Sequence, residues 1–101
     1  MTNPLAQLVE NHNLSQSETE QFFKEVLNGD IEPALLGSVL TALKMKGETP
    51  EEIAGAAMAI RTAATAFPEK TYPVADCVGT GGDGANTINI STTAAILSAA
   101  C

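Results

Sequence analysis

Four glycines, Gly79, Gly81, Gly82 and Gly84, fall within six residues, and Thr87, Asn89, Ser91 and Thr92 follow them. Without a Cβ, backbone N–H groups can converge on an anion at close range. The hydroxyl and amide side chains add neutral donors. Ser91-Thr92 also opens an apolar stretch that reads as a helix, and the N-terminal dipole of a helix favours negative charge. The combination describes a phosphate cradle. A plain turn asks for one or two glycines at positive φ, not four. Gly79, Gly81 and Gly84 also satisfy G-x-G-x-x-G, yet a dinucleotide fingerprint opens its helix at once and carries an acid roughly 20 residues on. Here the helix starts only at Ser91 or Thr92. No lysine follows the glycines, which excludes a Walker-type loop.

Asp83 sits inside this cradle, where an uncompensated carboxylate would repel phosphate. No Lys, Arg or His lies between Thr71 and Cys101 to offset it. A divalent metal or ligand hydroxyls would resolve the conflict, as would an Asp83 that only braces the loop by accepting backbone N–H groups. Mg²⁺ on a diphosphate uses few protein ligands and keeps waters, so one hydroxyl such as Ser91 suffices. Other reactive types carry less. His12, the sole histidine, falls in a polar helix junction and reads as solvated. Cys77 reads as a buried small hydrophobe in a strand, since no base accompanies it. Glu51-Glu52 is explained by its place at a helix start.

The elements that must position the cradle read as follows. Asn3-Pro4 caps a short helix carrying Leu5, Leu8 and Val9 and ending near residues 11–13. Ser15 and Glu18 form a capping box for a second helix with Phe22, Phe23, Val26 and Leu27 on its apolar face, stopped by Asn28-Gly29. Glu32-Pro33 opens a third, in which Leu35, Leu36, Val39, Leu40 and Leu43 make a wide stripe and Lys44 and Lys46 precede Gly47. That stripe predicts the best-buried helix. Thr49-Pro50-Glu51-Glu52 opens a fourth through Ile53, Ala56, Ala57, Ile60 and Ala64, ended by Phe67-Pro68. Residues 68–73 read as a linker, Val74 to Val78 as a strand, and the loop and last helix follow. The expected domains are therefore a helical domain at 1–67, a linker at 68–73 and the start of an α/β domain at 74–101. A lone strand has no partner for its backbone groups, and the last helix carries no stop signal, so the expectation is the first part of a longer protein.

Composition sets the outer bounds. Twelve acidic against five basic residues give a formal charge of −7, which would repel a nucleic-acid backbone. The length fits one small domain that buries roughly two thirds of its unfolded surface. Four aromatics and no Trp, with an apolar fraction of 45% rich in Ala and Leu, favour closely packed helices over a β-sandwich. Two distant cysteines, Cys77 and Cys101, argue against a disulfide framework and a zinc knuckle and point to a reducing cytosol. No basic-apolar leader and no run near the ~18 apolar residues of a membrane span is present.

The run from Asp76 to Thr92, DCVGTGGDGANTINIST, resembles the glycine-rich phosphoribosyl-diphosphate motif of the anthranilate phosphoribosyltransferase family of tryptophan biosynthesis. The helical prologue, above all Leu35 to Gly47 and Thr49 to Ala56, is similar to that family's N-terminal domain. The resemblance implies an α+β chain: an all-α helical domain, then the first strand-loop-helix of an α/β domain of the nucleoside phosphorylase/phosphoribosyltransferase type. It implies that Gly79 touches both substrates, that Gly82, Asp83 and Thr87 lie at the phosphoribosyl donor, and that Asn89, Ile90, Ser91 and Thr92 hold the diphosphate. Ser91 matches a magnesium ligand, so Mg²⁺ is the implied cofactor.

The implied substrates are 5-phosphoribosyl 1-diphosphate and anthranilate, in a cytoplasmic enzyme that engages neither nucleic acid nor membrane. The family's lysine loop, its arginine and asparagine for anthranilate and its acidic pair for a second magnesium have no counterpart in residues 1–101, so this stretch alone is expected to be inactive. A dimer through the helical domain is also implied, in keeping with the apolar residues that the third and fourth helices present over more than one face. Two other readings stay open: a pyrimidine nucleoside phosphorylase-like enzyme, whose anion loop looks different, and a non-enzymatic relative that binds nucleic acid or another ligand.

Overall fold

The computed structural model describes residues 3–79, 81, 84–86 and 88–101. Among these, five helices form and no strand: α1 (Pro4–Val9), α2 (Gln16–Asn28), α3 (Pro33–Lys46), α4 (Pro50–Ala63) and α5 (Ile90–Ala100). The chain divides into two compact units, Met1–Ala66 and Phe67–Cys101.

In the first unit each helix begins where the local chemistry says it should. Asn3 Oδ1 accepts the Leu5 N–H at 3.1 Å, with Pro4 in the first turn. Both predicted capping boxes are closed. Ser15 Oγ accepts the Glu18 N–H at 3.3 Å while Glu18 Oε2 accepts the Ser15 N–H at 2.9 Å, and Thr49 and Glu52 repeat the pattern at the same two distances. Gly29, at φ 83°, ends α2 in the left-handed conformation and passes its N–H to Val26 O while Asp30 donates to Glu25 O.

The helices pair α2 along α4 and α1 along α3, with a short contact between α1 and α2. Leu8, Leu14, Phe22, Val39 and Leu43 form the core, and the rings of Phe22 and Phe23 meet edge to face at 5.5 Å. Gly55 lets α4 approach α2: a Cβ there would run into Gln16 O and lie 2.8 Å from Thr19 Cβ and 2.9 Å from Glu20 N.

Two expectations about these helices change. α3 is not the best-buried helix, because only its Val39–Leu43 stripe is covered; Leu35 and Leu36 are half-buried and Leu40 is exposed. α4 stops at Ala63, before Phe67-Pro68, and Ala59 is the last of its residues that is buried, so little packing supports a longer helix.

Glu52 does more than start a helix. It is 2% exposed, its Oε1 accepts the Leu14 N–H at 2.8 Å, and its Oε2 accepts from the Thr49 N–H at 2.9 Å and from Lys46 Nζ at 3.0 Å. Lys46 Nζ completes its shell on Asn13 Oδ1 and Gly47 O, so the buried ammonium and carboxylate are both satisfied. Burial pushes the Glu52 carboxyl upward, but the Thr49 and Leu14 N–H groups and Lys46 outweigh it and hold the group below its ordinary value. Its capping-box counterpart Glu18 is also held low, by the Ser15 hydroxyl and N–H and then by Gln7.

In the second unit every described residue is exposed except Ser91 and Ala94, which are half-buried. Val74 to Val78 pairs with no strand among the described residues. Asp76 Oδ1 instead accepts the Val78 N–H at 3.1 Å, turning the chain with a donor that a ladder would have used. Cys77 is accordingly exposed, not buried, and His12 is solvated as read, with Glu10 3.7 Å from its Nδ1.

Candidate functional site

α5 begins one residue ahead of the predicted start because Asn89 is a strong N-cap. Its Oδ1 accepts the Thr92 N–H at 3.1 Å, and its carbonyl accepts the Thr93 hydroxyl at 3.3 Å. Ile90 opens the first turn and Ser91 follows, so Asn89, Ile90, Ser91 and Thr92 occupy the positive end of the helix dipole.

The glycine segment leads back to that end. A Cβ on Gly79 would sit 3.5 Å from Ser91 Oγ, so the start of the loop lies against the start of the helix. Cys77 reinforces the closure, its Sγ–H donating to Ser91 O at 3.5 Å. Gly81 and Gly84 have φ values of 71° and 70°, a region that penalises any side chain. Asn86, at φ 50°, is of the other residue type that tolerates this conformation.

The structure therefore brings together Gly79, Asn89, Ile90, Ser91 and Thr92. Gly82, Asp83 and Thr87 lie outside the described residues. The contact of Cys77 with Ser91 was not foreseen, because a cysteine in an isolated apolar run carries no mark of what it meets 14 residues on.

Chemically, this end offers a helix N-terminus, a loop that turns through left-handed glycines, and the half-buried Ser91 beside them. No group of three or more His, Cys, Asp or Glu side chains is placed to hold a metal among the described residues. A hard cation here would draw its oxygens from a bound ligand and water, with a hydroxyl such as that of Ser91 as a protein contact. No helix among the described residues is long and apolar enough to cross a membrane.

Residues 4–64 match the glycosyl transferase family helical bundle domain, and residues 71–101 match the α/β domain of the glycosyl transferase family. An anthranilate phosphoribosyltransferase of Colwellia psychrerythraea is 69% identical over 99 residues, covering 96% of this chain and 27% of that protein. Those of Photobacterium profundum and Vibrio cholerae are 62% and 57% identical, over 87% and 93% of this chain and 26% and 28% of theirs. The chain thus spans little more than a quarter of the length of these curated relatives. With its bundle match alone covering more than half of the residues, and the loop and α5 falling inside the second match, the chain belongs to the glycosyl transferase family whose helical bundle domain is followed here by an α/β domain.

Proposed function

We propose that this chain is the donor-binding front part of an anthranilate phosphoribosyltransferase, which transfers the phosphoribosyl group of 5-phosphoribosyl 1-diphosphate to the amine of anthranilate and releases diphosphate. The observation that carries the reading is the closure of Gly79 onto Ser91 at the N-terminus of α5, in a chain 69% identical over 99 residues to a protein of that name. In the reaction the amine attacks C1′ of the ribose while negative charge grows on the departing diphosphate. The catalytic demand is therefore for donors and positive potential at the leaving group, not for a protein nucleophile.

Gly79 and Gly82 keep the loop free of side chains, so its N–H groups can approach the phosphates. Ile90, Ser91 and Thr92 present the first turn of α5, and Asn89 fixes that turn by capping it. Thr87 and Asp83 add oxygen contacts to the donor. Mg²⁺ fits the neutral, oxygen-bearing donor set and would be held by Ser91 with the diphosphate and water; when bound it neutralises leaving-group charge.

Apolar residues left exposed on α3 and α4, including Leu40, Ile53, Met58 and Ile60, support a homodimer through the helical domain. Leu36→Glu or Met58→Glu should shift the full-length protein toward monomer in analytical ultracentrifugation, and a monomeric wild type at micromolar concentration would refute that part.

The test of the function is calorimetry on the full-length protein with 5-phosphoribosyl 1-diphosphate and Mg²⁺. Gly79→Val, which drives methyl groups toward Ser91 Oγ, should abolish binding, and Ser91→Ala should weaken it and reduce its Mg²⁺ dependence. Unaltered donor binding in Gly79→Val, or no binding by the wild type, would refute the assignment.

A further inference from the structure

The N-terminal segment of the helical unit, residues 3–14, is attached to the rest in an unusual way. α1 has six residues, too few to hold its helix alone. Asn11, at φ 63°, breaks the helix and turns the chain back, with the His12 N–H bonded to Gln7 O at 2.9 Å. The segment reaches the body through the buried Pro4, Leu8 and Leu14 and through three polar ties. Gln7 Nε2 donates to Glu18 Oε1 at 3.1 Å, Asn13 Oδ1 accepts from Lys46 Nζ at 3.0 Å, and the Leu14 N–H donates to Glu52 Oε1 at 2.8 Å. Two of the three ties converge on one buried ion pair, Lys46–Glu52, where side-chain exposures are 5% and 1%.

The α2–α4 contact uses none of these residues at its closest point, which is Gly55 against Gln16 and Thr19. The partner of α1 is α3, whose Val39 and Leu43 join Leu8 and Leu14 in the core. The segment shares its core with Phe22 of α2 as well as with α3, while the Gly55 contact holds α4 to α2 without any residue of the segment.

We propose that residues 3–14 are a strap that opens as a unit while α2 and α4 stay packed, and that the Lys46–Glu52 pair is its latch. Opening swings the strap about the junction just before Ser15 and bares the Val39–Leu43 stripe of α3. A latch made of a buried ion pair suits this role because it is all-or-none: withdrawing the strap removes one acceptor from Lys46 and one donor from Glu52 together.

Amide hydrogen exchange on the full chain, read region by region, tests it. In the double variant Gln7→Ala/Asn13→Ala, which cuts two of the three ties and keeps the ion pair, the amides of Asn11, His12 and Leu14 should exchange at least about tenfold faster, while amides in the interiors of α2 and α4 change by less than about twofold. Asn13→Ala leaves the ion pair in place and should give the same regional pattern at about threefold. An equal acceleration of all four helices in either variant, or strap amides that do not respond, would overturn the proposal.

Discussion

The two units of this chain solve the problem of polar backbone in opposite ways. In Met1–Ala66, every helix start has Pro or a side-chain cap, the core is continuous, and the buried charges satisfy one another. In Phe67–Cys101, the described residues stand exposed apart from two half-buried positions, and the Val78 N–H finds a side chain where a sheet would have offered a strand. The first unit is a finished piece of packing. The second has its glycine loop closed onto the start of α5 but little apolar burial of its own, and burial is what turns secondary structure into stability.

That contrast can be broken most forcefully at Glu52. Glu52→Ala leaves Lys46 buried without its counter-charge and should cost the helical unit about 3–5 kcal/mol in urea denaturation. A truncation of similar size on exposed α5, Ile96→Ala, should cost less than about 0.5 kcal/mol. Comparable losses at the two places would end the distinction. Gly55→Ala comes next: the added methyl has nowhere to go between α4 and the backbone of α2, and thermal unfolding should report about 1–3 kcal/mol of destabilisation.

Acid should separate the units as well. Glu18 and Glu52 are both held below the ordinary value of 4.5, so the native state favours their charged forms. Their contribution is whole above pH 4.5 and is lost as pH falls through the lowered folded values. A circular-dichroism titration of the wild type should show helix loss below that point, and Glu52→Gln should flatten the part of the curve that Glu52 supplies. A profile unchanged in Glu52→Gln would contradict this. The smallest effect is expected at Gly37, where a Cβ meets nothing within 4 Å inside a helix: Gly37→Ala should stabilise by up to about 1 kcal/mol, the reverse of Gly55→Ala.

The helix starts were legible in the sequence because capping is local: Ser15 and Glu18, or Thr49 and Glu52, are three residues apart and need no tertiary information. The entry to α5 was legible for the same reason, with Asn89 moving the start by one residue. What Glu52 does beyond its cap was not legible, since Leu14 and Lys46 reach it only after α1, α3 and α4 have packed. The strand expected at Val74 to Val78 is not seen among the described residues, because a strand forms only in company with another, and Asp76 takes the Val78 N–H. The apolar stripe of α3 could be counted from its residues, but which part of it a neighbour covers is decided by the placement of α1.

The close approach at Gly55 also bears on how this protein can evolve. A Cβ there would collide with a carbonyl oxygen and an amide nitrogen of α2 as well as with the side chain of Thr19. Exchanging Thr19 for something smaller would remove only one of the three obstacles, for every amino acid at positions 16 and 20 carries the same main-chain atoms. No compensating second-site replacement on α2 can therefore open room, and the sequence space around position 55 is closed until the two helices shift bodily apart.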